Sequence, residues 1–343
     1  MRTFSRTAAL VATIAALAAA QPSGGSAATN LLSRVSVRSQ SGYENLTLFP
    51  LVGPASTYSI HTLLDQAIRS GQVEVQEKDG GQVNTVRMKN TGKTHVFGMA
   101  GEIVSGAKQD RMLQDDVLLP PGSGWLDVPV YCTEHGRWTG SSMGFGTKSY
   151  VASGAVRGRA AETRSQEQVW AEVDAAHQGL GVTTPSRAFA KVYEDKGAQE
   201  QARPYLDKLD RLPELCPGAL GVVVAVGNRI VCVDVFGSPA LFRKMWPKLL
   251  RSYVIDAMQS RPEGETRQKQ VQRFIETAAL AEVYDQPTVG AGRLQRLSAA
   301  NAAGAALVFR SSVVHLDLFP GSGIETDNGS TPRLDFRRQR TLR

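Results

Sequence analysis

Two stretches of this chain decide its reading: Val222-Val223-Val224-Ala225-Val226-Gly227-Asn228-Arg229-Ile230-Val231-Cys232-Val233-Asp234-Val235-Phe236, and Ala305-Ala306-Leu307-Val308-Phe309-Arg310-Ser311-Ser312-Val313-Val314-His315-Leu316-Asp317-Leu318-Phe319. They align without a gap. Each has two apolar runs of strand length around a short turn, Gly227-Asn228 in one and Arg310-Ser311 in the other, which is the pattern of a β-hairpin. Each second strand ends in apolar-Asp-apolar-Phe. Aspartate is depleted in strands, so its shared position argues for a duplicated hairpin over a chance likeness of two buried ones.

Between the hairpins, Phe242, Met245, Trp246, Leu249, Leu250, Tyr253, Val254 and Ala257 form an apolar helical stripe. Pro247 interrupts it and predicts a kink or two abutting helices. A further helix is expected over 263–282. Hairpin, helices, hairpin reads as an antiparallel sheet with helices packed on one side, an α+β fold. Pairing about Gly227-Asn228 sets Cys232 opposite Val223 and leaves Cys216 about 20 Å away. A disulfide needs Cα atoms within about 7 Å, so Cys216 and Cys232 are not expected to bond, and a bridge between Cys132 and Cys216 stays open.

Upstream, residues 44–50 read as a strand stopped by Pro50. Ile60, Leu63, Leu64, Ala67 and Ile68 fall at helical spacing before Gly71. Short strands follow around 73–76, 83–89, 95–104, 115–119 and 125–132. Residues 139–162, rich in Gly, Ser and Ala, read as a long loop, with Gly140–Gly146 as a flexible flap. Val169, Trp170, Val173 and Ala176, then Tyr205, Leu206, Leu209 and Leu212, mark helices. The expected organisation is a signal peptide at 1–28, a β-rich region at 29–150, a helical connector at 151–215, an α+β region at 216–322 with the duplicated hairpin, and a disordered basic tail at 323–343.

Arg2 and Arg6, an apolar run from Ala8 to Ala20, and the small residues Ser26 and Ala28 have the form of a signal peptide cut after about Ala28. The run is shorter than the roughly 20 residues a membrane span needs, and no cysteine follows it to carry a lipid. A periplasmic or secreted protein without a membrane span is expected. The net charge of +7 does not mark a nucleic-acid binder. The leader holds two arginines, and the tail Pro332–Arg343 holds five against one aspartate, so the body is close to neutral.

The densest polar stretch runs from Glu102 through Lys108-Gln109-Asp110-Arg111 to Cys132, Glu134 and Arg137-Trp138. Guanidinium groups suit phosphate or carboxylate, and Trp138 offers a stacking face. Three readings fit: an ion-pair network fixing loops, a ligand groove built on Lys108, Gln109, Arg111, Arg137 and Trp138, and acid–base work by Glu102 and Glu134. A thiol nucleophile at Cys132 served by His135 is disfavoured by their alternation along a strand. The five histidines (61, 95, 135, 177, 315) are scattered, with no HxxxH or CxxC, so no metal site is expected. His315 with Asp317 reads as a polar pair near a sheet edge. No dinucleotide or P-loop motif, nor a nucleophile elbow, predicts a cofactor or a serine hydrolase.

Gly101-Glu102-x(3)-Gly-Ala-Lys-Gln-Asp-Arg111, Val128-Pro-Val-x-Cys132-x-Glu134-x-Gly-Arg137-Trp138 and Asp234-x-Phe-Gly237 resemble the signatures of the ARG-and-Rhodanese-Phosphatase-superfamily-associated domain, over roughly 40–320. The family takes its name from gene association with ADP-ribosylglycohydrolases and rhodanese-type phosphatases. The resemblance therefore implies a link to ADP-ribose-like ligands without implying an activity. This copy departs in carrying an export signal. The resulting expectation is an exported protein that binds a small anionic, nucleotide- or ADP-ribose-like ligand or acts as an accessory protein. A hydrolase using Glu102 and Glu134, and a structural partner protein with no small-molecule site, are the alternatives.

Overall fold

A computed structural model describes residues 25–56, 58, 60, 62–137, 143–260 and 263–321. Residues 1–24 of the expected leader, Trp138, residues 140–142 of the glycine-rich stretch and the basic tail lie outside the described residues.

The elements run α1 (Ala27–Leu32), β1 (Ser36–Val37), β2 (Ser41–Tyr43), β3 (Leu46–Val52), β4 (Thr62–Leu63), α2 (Leu64–Arg69), β5 (Val73–Glu77), β6 (Thr85–Asn90), β7 (Val96–Gly98), β8 (Glu102–Gly106), β9 (Arg111–Leu113), β10 (Val117–Leu119), β11 (Leu126–Cys132) and β12 (Phe145–Val151). Then come α3 (Gly154–Thr163), α4 (Gln166–Leu180), α5 (Ala190–Glu194), α6 (Lys196–Leu209), α7 (Leu212–Leu215), β13 (Ala219–Val226), β14 (Arg229–Phe236), α8 (Pro239–Gln259), α9 (Gln268–Ala278), β15 (Glu282–Gln286), β16 (Arg293–Ser298), β17 (Ala302–Phe309) and β18 (Ser312–Pro320).

The α+β class holds. The two hairpins, β13–β14 and β17–β18, join through β14 and β18 at the middle of a nine-stranded sheet ordered β1-β3-β13-β14-β18-β17-β16-β15, with β2 beside β3. Their backbones match position for position. Gly221 and Gly304 are equivalent, and an added Cβ at either would collide with the carbonyl oxygen of Asp234 or Asp317 respectively. The register slips at equivalent places, between Val224 and Ala225 and between Leu307 and Val308. Asp234 lies directly opposite Asp317 across the two central strands.

One sheet face carries Val222, Val224 and Phe236 against α6, α7 and α8, and against Phe97, Met99 and Leu118 from the other sheets. The other face carries Phe49, Val233, Val235, Leu316 and Leu318 against α1 and α9. Cover on both faces explains why all of β13 is buried instead of alternating. A six-stranded sheet, β12-β8-β9-β11-β6-β5, and a three-stranded one, β10-β7-β4, complete the described strands.

Several local expectations are corrected. Pro50 does not stop β3, which continues to Val52. It sits where β1 gives out and beside a register slip in β13, the kind of irregularity where a sheet accepts proline. The helix expected from Ile60 starts at Leu64, because Thr62 and Leu63 pair in parallel with β7. Residues 139–162, read as loop, contain β12 and α3. Ser153 caps α3 through its side chain, and small residues there let the helix pack closely on the sheet. Pro247 lies within one 21-residue helix, and the helix expected to 282 ends at Ala278, before β15. The slip after Val224 sets Cys232 opposite that residue instead of Val223. All three cysteines are free thiols, so Cys132 and Cys216 are not bridged.

Candidate functional site

The structure gathers most of the sequence-singled residues around the tight turn between β8 and β9. Glu134 follows β11 and is buried. Its Oε2 accepts from the Asp110 amide at 3.0 Å. Arg137 grips the same carboxylate with two bonds, Nε to Oε1 at 2.9 Å and Nη2 to Oε2 at 2.6 Å. Its Nη1 donates to the Ala107 carbonyl at 2.8 Å. A bidentate guanidinium–carboxylate pair is therefore spent on holding a turn in which Ala107 has φ of 45°. Hydrogen bonding to Glu134 holds the Arg137 guanidinium above its usual range. Burial, then the neighbouring Glu134 charge, push the Asp110 carboxyl up.

Arg111 is wholly enclosed. Its Nη1 reaches the carbonyl and the side-chain Oε1 of Gln109 at 3.1 and 3.3 Å, and Nη2 lies 3.6 Å from Glu77 Oε1. Cys132 Sγ donates to Gln109 Oε1 at 3.1 Å and to the Glu134 carbonyl at 3.0 Å. Gln166 clasps the Cys132 backbone, accepting from its amide at 2.7 Å and donating to its carbonyl at 2.8 Å. Burial pushes the thiol pKa up, which keeps it protonated and a poor nucleophile. Lys108 Nζ donates to the Gly80 carbonyl. Trp138 lies outside the described residues.

Glu102 is not part of this cluster. Its Oε1 lies 2.7 Å from Lys248 Nζ, which also reaches Asp65 Oδ1 at 3.1 Å, and its Oε2 accepts from the Met99 amide at 3.3 Å. Burial raises the Glu102 carboxyl, and the Lys248 charge offsets this only in part. Among the described residues Glu102 and Glu134 share no partner, and each is tied into its own network. Glu102, Arg111 and Glu134 are all buried, and of the four charges expected to line a common hollow Arg137 alone keeps partial exposure.

A second polar centre escaped sequence reading. Asp116, His315 and Asp234 form a line: His315 Nδ1 lies 2.8 Å from Asp116 Oδ2, and Nε2 lies 3.3 Å from Asp234 Oδ1. Arg157, from α3, grips Asp234 with two bonds of 2.8 Å, and the Tyr253 hydroxyl donates to Asp234 Oδ2 at 2.6 Å. Burial alone would lower the His315 pKa, but the two carboxylates raise it to about 10. The ring is thus an imidazolium at neutral pH. It is a fixed cation and not a general base. His315 and Asp317 stand mid-sheet, not near an edge, because β18 lies between β14 and β17. The repeated aspartate, the Asp234-x-Phe-Gly237 signature and the His315–Asp317 pair were the available signals. Arg157 was hidden in the stretch read as loop. Among the described residues no group of three His, Cys, Asp or Glu side chains is placed to hold a metal.

Two openings lie apart from the signature cluster. A cleft of about 240 Å³ over Asp115, Asp116 and Thr288 is where the central line reaches the surface. Asp115 is already paired with Arg164 and Arg296. A larger groove of about 420 Å³ lies between α1, the turn at Pro54–Ser56 and the tip of the second hairpin. Arg34, Arg293, Ser56, Ser311 and Ser312 line it. Arg293 leans on Asp285 at 3.4 Å. Arg34 is exposed, and among the described residues its side chain makes only a long 3.5 Å contact with Asn30 Oδ1.

A family model described as the ARG and Rhodanese-Phosphatase-superfamily-associated Protein domain matches residues 34–319. No curated protein and no solved structure matches the chain.

Proposed function

The chain belongs to the ARG and Rhodanese-Phosphatase-superfamily-associated Protein domain family, whose name records an association and no reaction, so we propose a function from the site itself: an exported protein that binds a small anionic ligand without transforming it. The observation that carries this reading is the contrast between two sets of arginines. Arg111, Arg137 and Arg157 are held by internal acceptors. Arg34 borders the groove and forms no ion pair among the described residues, and Arg293 stands beside it with one half-exposed carboxylate neighbour.

The groove's volume falls at the small end of the range for ligand sites. Its guanidinium and hydroxyl donors suit a phosphate or carboxylate group. Buried, self-paired Glu102 and Glu134 favour binding over hydrolysis, and the leader-like sequence favours export. ADP-ribose, ribose 5-phosphate and inorganic phosphate span the ligand class. Binding at a hundredfold excess over Kd stabilises a fold by about 2.7 kcal/mol. The expected result is a raised melting temperature with at least one of the three, abolished in Arg34→Ala/Arg293→Ala. No shift with any of them, or a shift indifferent to the double substitution, ends the reading. Ligand breakdown that disappears in Glu134→Gln would establish the hydrolase instead.

A further inference from the structure

The groove is built in part from the first described residues, Gly25 to Ala27, and their role conflicts with the export cut expected after Ala28. Ser26 caps α1: its Oγ accepts from the Thr29 amide at 3.1 Å and lies 3.0 Å from Thr29 Oγ1. Ala28 has no exposed surface, and its amide donates to Oε1 of the buried Gln295 on β16 at 3.1 Å. Ala28, Leu31 and Leu32 pack into the core shared with α9 and the outer face of the sheet. A chain starting at Thr29 lacks the cap, and loss of a serine cap alone costs a helix about 1 kcal/mol. It also lacks Gly25, Ser26 and Ala27, which form one wall of the groove.

Eight residues upstream, Ala18-Ala19-Ala20 ends the apolar run, placing small residues three and one before the bond to Gln21. That is the pattern a leader peptidase reads. Gln21-Pro22-Ser23-Gly24 then separates this bond from the first described residue.

We propose that the leader is removed by hydrolysis of the Ala20–Gln21 peptide bond, so that the mature protein begins at Gln21 and keeps both the α1 cap and the groove wall. Water adds across the amide, leaving a carboxylate on Ala20 and an amine on Gln21. The proposal rests on the export reading, and the test separates the two. The full chain is produced with its own leader in a bacterial host, the periplasm is separated from the cytosol, and the intact mass and N-terminal sequence are read in each fraction. The expected product is a periplasmic chain beginning at Gln21. A periplasmic chain beginning at Ala28 or Thr29 overturns the proposal and leaves export standing. A chain beginning at Met1 and confined to the cytosol overturns both. Ala20→Arg provides the second arm. It blocks the proposed bond and accumulates precursor, whereas a cut after Ala28 would proceed at an unchanged rate.

Discussion

Asp234 and Asp317 hold the same place in two matching hairpins and face each other across β14 and β18, yet their surroundings drive them in opposite directions. Burial works to raise both carboxyls. At Asp234 it is outweighed by the Arg157 guanidinium, with help from His315, and the carboxyl is held far below the ordinary range. At Asp317 no guanidinium forms an ion pair among the described residues; the backbone amide of Ala305 donates to it at 3.0 Å, and burial, outweighing the nearby His315 and Arg157 charges, pushes the group up to about 6. The equivalent positions Cys232 and His315 diverge likewise. One is a buried thiol whose pKa burial raises, and the other is an imidazolium. The two hairpins share one backbone geometry, and the asymmetric helices laid on it assigned the charges.

The symmetric part is tested by Gly221→Ala and Gly304→Ala. Each new Cβ meets a partner-strand carbonyl that cannot rotate away. Both variants should lose more than about 3 kcal/mol in urea denaturation, the range of strong core strain. If one is tolerated, the backbones are not equivalent. The asymmetric part is tested by Arg157→Ala, which strips the bidentate partner from a buried carboxylate. A loss of about 3–5 kcal/mol in the same assay is expected for a broken buried pair. A loss below about 1 kcal/mol, the scale of a surface pair, would show that Asp234 is not held by this cation.

The smallest effect is also the most discriminating. Asp317 has a raised pKa in the fold, so it contributes stability fully below pH 4 and loses that contribution as the pH rises through about 6. Asp317→Asn should therefore match the parent near pH 4 and exceed it by about 1–2 kcal/mol at pH 8, taking one pKa unit as 1.36 kcal/mol and discounting for the shared field of His315 and Asp116. Asp234→Asn should instead fall short of the parent throughout pH 4–8 and approach it only as the pH drops well below 4, since a depressed carboxyl stabilises the fold above its unfolded pKa and loses that contribution as pH falls through its lowered folded pKa. Parallel pH profiles for the two variants would erase the contrast.

Much of the framework was legible because it rests on local pattern. Apolar runs, a two-residue turn and a repeated aspartate specify a hairpin within fifteen residues. The stripe on α8 survives Pro247 because its core contacts, from Phe242 to Ala257, lie on both sides of the proline. The candidate site was legible only as a set of residue types. Gln109, Arg111, Glu134 and Arg137 are linked through Cys132 and the β8–β9 turn, but the Lys108 side chain goes to Gly80, and Glu102 joins Lys248 and Asp65 instead. The glycine-rich composition of 139–162 concealed β12 and α3, whose small residues serve close packing: a Cβ at Gly154 would press on Val231 and Asp256.

From its residues alone, then, this chain determined its fold class, its two matching hairpins and its family, because periodicity, turn chemistry and short motifs act over a few neighbouring positions. Whether a given charge faces a ligand or another side chain was decided only by the tertiary structure. Arg157 and Asp234 are 77 positions apart, and Asp116 and His315 are 199. A pairing energy between such groups depends on distance and burial, which no local stretch of sequence contains.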